Sequence, residues 1–324
     1  MKAVLCTHFG TAEELEIKDI PQPQAGPGEA VVRVAAAALN FFDTLIIAGK
    51  YQQKPPFPFS PAAEFAGTVE SIGTGVTQVA PGDHVMGFVS WGAAREAIAV
   101  PAQQLVRIPE TLDFDRAAGL TVTYGTSLYA LRERAQLKRG ETLLVLGASG
   151  GAGLAAVELG NMMGARVIAC ASSDEKLAFA RAHGADETVN YTDENLRDAL
   201  KRLGGEHGID VVYDPVGGPY AEPAVRSLAW QGRYLVVGFT AGEIPRLPLN
   251  LVLLKGCDIR GVFWGSWGKR EPQAQHALLT EVARWCAEGK LNPHVHAVYP
   301  LAEIATALKA ISDRKVIGKV LLRP

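Results

Sequence analysis

The sequence predicts an α/β protein in which a doubly wound, six-stranded parallel sheet is joined to a second, β-barrel-type domain. Three observations carry this. From about Thr121 onward, short apolar runs alternate with helical stretches, the rhythm of strand–helix–strand crossovers. The first third of the chain instead holds short strand-like runs closed by proline and glycine turns. At the first crossover, the apolar run 142–146 leads through Gly147-Ala-Ser-Gly150-Gly151-Ala152-Gly153 straight into a helical pattern.

In chain order, Met1–Cys6 starts as a strand, and Pro21, Pro23, Gly26, Pro27 and Gly28 mark a loop before the apolar run 30–38. Short helices are expected at 40–47 and 115–120. A proline cluster at 55–61 precedes a strand at 64–72, and Pro81-Gly82-Asp83 closes another segment. The parallel sheet is expected to use strands 142–146, 166–170, 187–189, 209–213, 233–237 and 257–263. Its helices are expected at 152–163, 174–183, 193–203, 219–229 and 248–255, with Thr192 and Asp193 capping the third. A helix at 273–288, a strand at 296–299, a helix at 301–312 and a strand at 318–322 follow, with a loop at 264–272. This last piece is too small for its own core, so it is expected to complete the N-terminal domain. The domains then read as 1–120 with 265–324, and 121–264.

A formal charge of -2 without blocks of like charge gives no nucleic-acid or membrane-surface footprint. The absence of a long apolar run and of a signal-like N-terminus makes the cytoplasm the expected location. Cys6, Cys170, Cys257 and Cys286 are far apart with no C-x-x-C spacing, which argues against a disulfide framework or a four-cysteine zinc lobe.

The chemistry begins at the glycine turn. Glycines let the backbone approach a pyrophosphate, and the unpaired N–H groups opening the helix, at Gly150, Gly151, Ala152 and Gly153, meet its charge. The second strand then ends in Ala171-Ser172-Ser173, where an acid would hold an adenine ribose free of phosphate. Hydroxyls followed by Lys176 leave room for a 2′-phosphate, so the expected cofactor is NADPH. Ser173 is equally a helix N-cap, and Lys176 a solvated first-turn lysine. Two charge-assisted hydrogen bonds there correspond to roughly a hundredfold NADPH preference or more. Gly238 and Phe239 end the fifth strand, and Phe263 and Trp264 the sixth, at the carboxyl ends where ligands of such sheets sit. Thr123, at the domain handover, reads as a cofactor neighbour or as hinge packing.

Several motifs together resemble the medium-chain dehydrogenase/reductase superfamily, in its zinc-free quinone oxidoreductase (zeta-crystallin-like) branch. They are Ala38-Leu-Asn40-Phe-Phe-Asp43, Gly49-Lys-Tyr51, Glu64-Phe-Ala-Gly67, Tyr124-Gly-Thr126, Gly140-Glu141, the loop 148–153, Asn190-Tyr191, Val216-Gly-Gly218 and Gly318-Lys-Val320. Glu158 and Asn161 depart from the pattern, which favours Gln and a basic or Ser residue there. The resemblance implies a Rossmann domain with a GroES-like domain, and places Asn40 and Tyr51 near the nicotinamide, with Tyr51 toward the substrate oxygen. It sets Tyr191 by the ribose and pairs the 257–263 edge with its twin in a homodimer. Lys319 reads either as a pyrophosphate ligand or as a surface lysine. The zinc positions of related alcohol dehydrogenases fall on Asn40, Ala63 and Ala118, so no metal is expected.

The expected activity is metal-free reduction of a quinone by NADPH, as hydride or single electrons. The alternatives are reduction of an enone or enoyl thioester, and NADPH binding without turnover.

Overall fold

The computed structural model describes residues 1–324. They form two compact units, Met1–Val122 with His276–Pro324, and Thr123–Gln275. The chain re-enters the first unit at His276 rather than at 265, because the expected 264–272 loop is largely a helix, Trp264–Arg270. Glycines 265 and 268 weaken its intrinsic propensity. Packing compensates: the Trp267 ring stacks on Tyr129 with centroids 4.5 Å apart.

In the first unit, β1 (Lys2–Leu5) and β2 (Glu16–Asp19) form an antiparallel ribbon. A seven-stranded sheet holds β3 (Glu29–Leu39), β4 (Glu64–Ile72), β5 (His84–Phe88), β6 (Ala97–Pro101) and β7 (Leu105–Arg107). The last two strands of the chain, Val295–Pro300 and Lys319–Arg323, complete it. The long β3 organises this sheet. One edge pairs with β6 over its first half and with the C-terminal strand over its last, and the other edge pairs with β4. The β3–β4 ladder shifts register twice, and Gly67 lies where a Cβ would stand 1.9 Å from the Arg33 carbonyl oxygen. Only glycine permits that approach. The Val320↔Leu39 register brings the C-terminal strand alongside the end of β3, just before Asn40.

The second unit holds six strands, β8 (Thr142–Leu146), β9 (Arg166–Ala171), β10 (Glu187–Asn190), β11 (Ile209–Asp214), β12 (Leu228–Val236) and β13 (Asp258–Gly261). All run parallel, in the order β10-β9-β8-β11-β12-β13. Strand order reverses between β8 and β11, the crevice where such sheets bind ligands. Helices Gly151–Met162, Asp174–Ala182, Leu196–Gly204, Ala221–Ser227 and Leu249–Lys255 make the connections.

Three expectations need correction here. The third helix is capped by Asn195, whose side chain accepts from Asp198 N, not by Thr192 or Asp193. Thr192 instead bonds Asn190. The fourth helix stops at Ser227, and β12 begins at Leu228; a register shift and the positive φ of Gln231 divide this strand. The sixth strand is shorter than 257–263, because Phe263 already caps the next helix. Residues Thr123–Leu128 are helical and continue as a π-helical segment through Arg134.

Candidate active site

The glycine turn of the second unit has the geometry of an anion cradle. Gly147 takes a φ of +60° after β8, and Gly150 N donates back to its carbonyl at 3.1 Å. Gly150 is the N-cap, and the first intrahelical bond is Leu154 N to Gly150 O at 2.8 Å. The N–H groups of Gly151, Ala152 and Gly153 precede that bond and carry the positive end of the helix. A Cβ at Gly153 would stand 2.2 Å from the Gly147 carbonyl oxygen, so the turn closes only on glycine. Ser127 Oγ braces it by donating to Ala152 O at 3.0 Å.

At the end of β9, Lys176 Nζ donates to Ser172 Oγ at 3.3 Å, while Ser173 Oγ caps the helix by accepting from Lys176 N. Of the three groups expected at the 2′-phosphate, Ser172 and Lys176 therefore sit together, and Ser173 serves the helix. Asp174 is turned to Asn190, whose Nδ2 donates to it at 3.0 Å. Tyr191 is half-buried, with its ring 4.4 Å from Tyr220.

At the carboxyl end of β11, Asp214 organises the next loop. One carboxylate oxygen accepts from Val216 N and Gly217 N at 2.7 and 2.8 Å, and the other accepts from the Tyr234 hydroxyl. Burial raises the Asp214 carboxyl pKa, against the pull of these donors. Gly238 N donates to Asp214 O at 3.2 Å, and Phe239 lies over Gly217. Of the two aromatic residues after β13, Phe263 is exposed and Trp264 is buried. Thr123 is buried at the start of its helix. Its neighbour Tyr124 donates to Glu158 Oε2 at 2.7 Å, and His183 Nε2 lies 3.8 Å from Glu158 Oε1.

The first unit holds a separate polar cluster. Asn40 caps helix Phe41–Ile47, and Asp43 Oδ2 accepts from Asn40 N at 2.7 Å. The Asn40 amide donates to Glu64 Oε1 at 2.9 Å and accepts from Lys319 Nζ at 2.7 Å. Lys319 Nζ also donates to Glu64 Oε1 at 2.6 Å and to Leu39 O at 3.0 Å, while Glu64 Oε2 accepts from Val122 N. This corrects both readings of Lys319: its ammonium is 5 % exposed and meets three acceptors, so it neither lies on the surface nor has a donor left for a pyrophosphate. Glu64, which sequence reasoning did not single out, is the hub. An acid inside Ala62-Ala63-Glu64-Phe65-Ala66 was its signal, since a buried carboxylate needs a counter-charge. Asp43 is wholly buried, and desolvation pushes its carboxyl up to about 7. Tyr51 stacks on Phe42 at 5.5 Å, and burial, then the nearby Asp43, raises its phenol pKa. No hydrogen bond within the chain engages the Tyr51 hydroxyl.

All four cysteines are free and buried, and burial raises the thiol pKa of Cys6, Cys170 and Cys257.

Comparison with known proteins follows this division. Residues 26–110 match the alcohol dehydrogenase GroES-like domain, and residues 151–281 match the family described as zinc-binding dehydrogenase. The chain is similar to the mouse quinone oxidoreductase-like protein 2, 40% identical over 322 residues, 99% of this chain and 91% of the mouse protein. Its fold is similar to that of the Pseudomonas syringae pv. Tomato DC3000 quinone oxidoreductase, with TM-score 0.93 and 32% identity over 100% of this chain and 99% of that one. The Escherichia coli quinone oxidoreductase complexed with NADPH gives TM-score 0.92 and 26% identity, with 100% of both chains covered.

Proposed function

The chain belongs to the medium-chain dehydrogenase/reductase superfamily, in its quinone oxidoreductase branch, and from that premise we propose that it reduces quinones with NADPH and without a metal. The single observation that carries the cofactor choice is the Ser172–Lys176 pair at the end of β9, where an acid would exclude a 2′-phosphate. Gly151, Ala152 and Gly153 would hold the pyrophosphate, Ser172 and Lys176 the 2′-phosphate, and Tyr191 the ribose. The Asp214-braced loop, with Gly238, Phe239, Phe263 and Thr123, would border the nicotinamide half. Bound NADPH supplies the hydride.

The donor set does not fit a catalytic zinc. Ala63 and Ala118 carry no ligating atom, and the Asn40 amide is engaged by Glu64 and Lys319. An acceptor of low intrinsic barrier answers that constraint. A quinone takes up hydride as a delocalised anion, and solvent provides the remaining proton. The free Tyr51 hydroxyl is the group to donate a hydrogen bond to the acceptor oxygen, its ring stacked on Phe42 at the start of the helix that Asn40 caps. That same donor suits the developing enolate of an enone, which is the second reading. A panel of quinones, enones and short enoyl thioesters at fixed NADPH separates the two. Oxidation of NADPH by the unsaturated carbonyls alone overturns the quinone assignment.

The enzyme is proposed as a cytoplasmic homodimer. Unpaired buried thiols suit a reducing compartment. Strand β13 pairs only with β12, and Trp230, Leu249, Leu253 and Ile259 are exposed on the same unit. Light scattering should give a dimer for the wild type and a monomer for Ile259→Lys; a monomeric wild type removes the proposal.

A further inference from the structure

Arg95 carries a charge that nothing in the chain neutralises. It lies between β5 and β6, where its backbone N–H donates to Ala93 O at 2.8 Å and it bridges to Ala3, and its Nε is buried without a hydrogen-bond partner. No carboxylate pairs with it: its acidic neighbour Glu96 is taken up by the Lys2 backbone N–H at 2.7 Å. Burial alone perturbs the guanidinium, lowering its pKa with no opposing charge to offset it. A desolvated, unpaired arginine is costly to the fold.

The same residue lines a cavity of about 280 Å³ within the first unit, walled by Pro56, Pro58, Phe59, Trp91, Ile98 and Pro101. These walls are apolar and largely ring-shaped, and Arg95 is their only charged member. Few polar groups on an apolar concavity is the composition of a small-molecule site. The size, at the low end for such sites, suits one or two fused rings. A guanidinium presents a planar fork that matches a carboxylate with two parallel N–H donors. A phosphate dianion carries a second negative charge that this single guanidinium does not neutralise.

We propose that this cavity binds a small carboxylate borne on a planar apolar body, its anion held by Arg95 and its rings against Trp91 and Phe59. None of the residues assigned to NADPH, nor Asn40 or Tyr51, lines it, so binding can be measured without turnover and independently of the quinone reading.

Calorimetric titration of the full chain with 2-naphthoate and with its neutral counterpart 2-naphthamide tests this. The wild type is expected to bind naphthoate at least about tenfold more tightly than the amide, the range of a charge-assisted hydrogen bond. Arg95→Gln should erase that discrimination while leaving NADPH affinity unchanged, and Arg95→Lys should keep part of it. Equal affinities in the wild type, or no naphthoate binding at millimolar concentration, overturn the proposal even should the Gln variant fail to fold. Naphthoate bound equally well by Arg95→Gln also overturns it, as does tighter binding of 2-naphthyl phosphate.

Discussion

Lys319 Nζ and Glu64 Oε1 lie 2.6 Å apart, with the two side chains 5% and 0% exposed. The pair joins the last strand of the chain to β4, and both partners hold the Asn40 amide. Breaking one side leaves a buried charge without its partner, which costs about 3–5 kcal/mol in comparable sites. Lys319→Met is therefore expected to destabilise the protein by that order in urea unfolding. The double variant Glu64→Leu/Lys319→Met should lose less than the single one. A double variant at least as unstable would show that the pair is not what holds this corner.

Asp43 makes stability depend on pH. Its carboxyl is raised from 3.8 to about 7 by burial, so the folded state favours the protonated form. The stability it contributes is full below pH 3.8, declines as pH rises and is gone above about 7. Asp43→Asn should lack this decline. Between pH 5 and 7 the wild type should lose up to about 1.4 kcal/mol per pH unit relative to the variant. Parallel pH profiles of the urea midpoints would contradict the assignment.

Lys176 should set the cofactor preference. Replacing its ammonium, which meets Ser172 Oγ, by the carboxylate of Lys176→Glu is expected to cut the NADPH-over-NADH ratio of kcat/KM by about tenfold or more. An unchanged ratio would remove this residue from the 2′-phosphate site.

Tyr124 and Glu158 test the helix behind the cradle. The hydroxyl donates to a carboxylate that is 8% exposed, so Tyr124→Phe should cost about 1–3 kcal/mol. Glu158→Gln keeps an acceptor for Tyr124 and restores the residue type that the family pattern favours, so it should cost less. Denaturant unfolding of both variants decides, and a cost below about 0.5 kcal/mol for Tyr124→Phe would contradict the account.

What the sequence made legible was local. Strand β8, its glycine turn and its helix follow one another, so their geometry could be read from adjacent residues. So could Ser172 and Lys176, four positions apart on one helix start. The partners of Lys319 could not, because Glu64 stands 255 residues away and only the register of the C-terminal strand against β3 brings them together. Glu158 was visible as a departure from the family pattern, but His183 and Tyr124 became its neighbours only through folding. Helix Trp264–Arg270 escaped for a related reason: its glycines argue against a helix locally, and the stacking of Trp267 on Tyr129 outweighs them.

The most direct test of the proposed activity is quinone-dependent oxidation of NADPH by enzyme dialysed against a strong chelator, followed by the loss of NADPH absorbance. The account expects NADPH to be consumed in step with hydroquinone formation, at the rate seen before chelation and faster than with NADH. No quinone-stimulated oxidation, or a rate that returns only when zinc is added back, would contradict it.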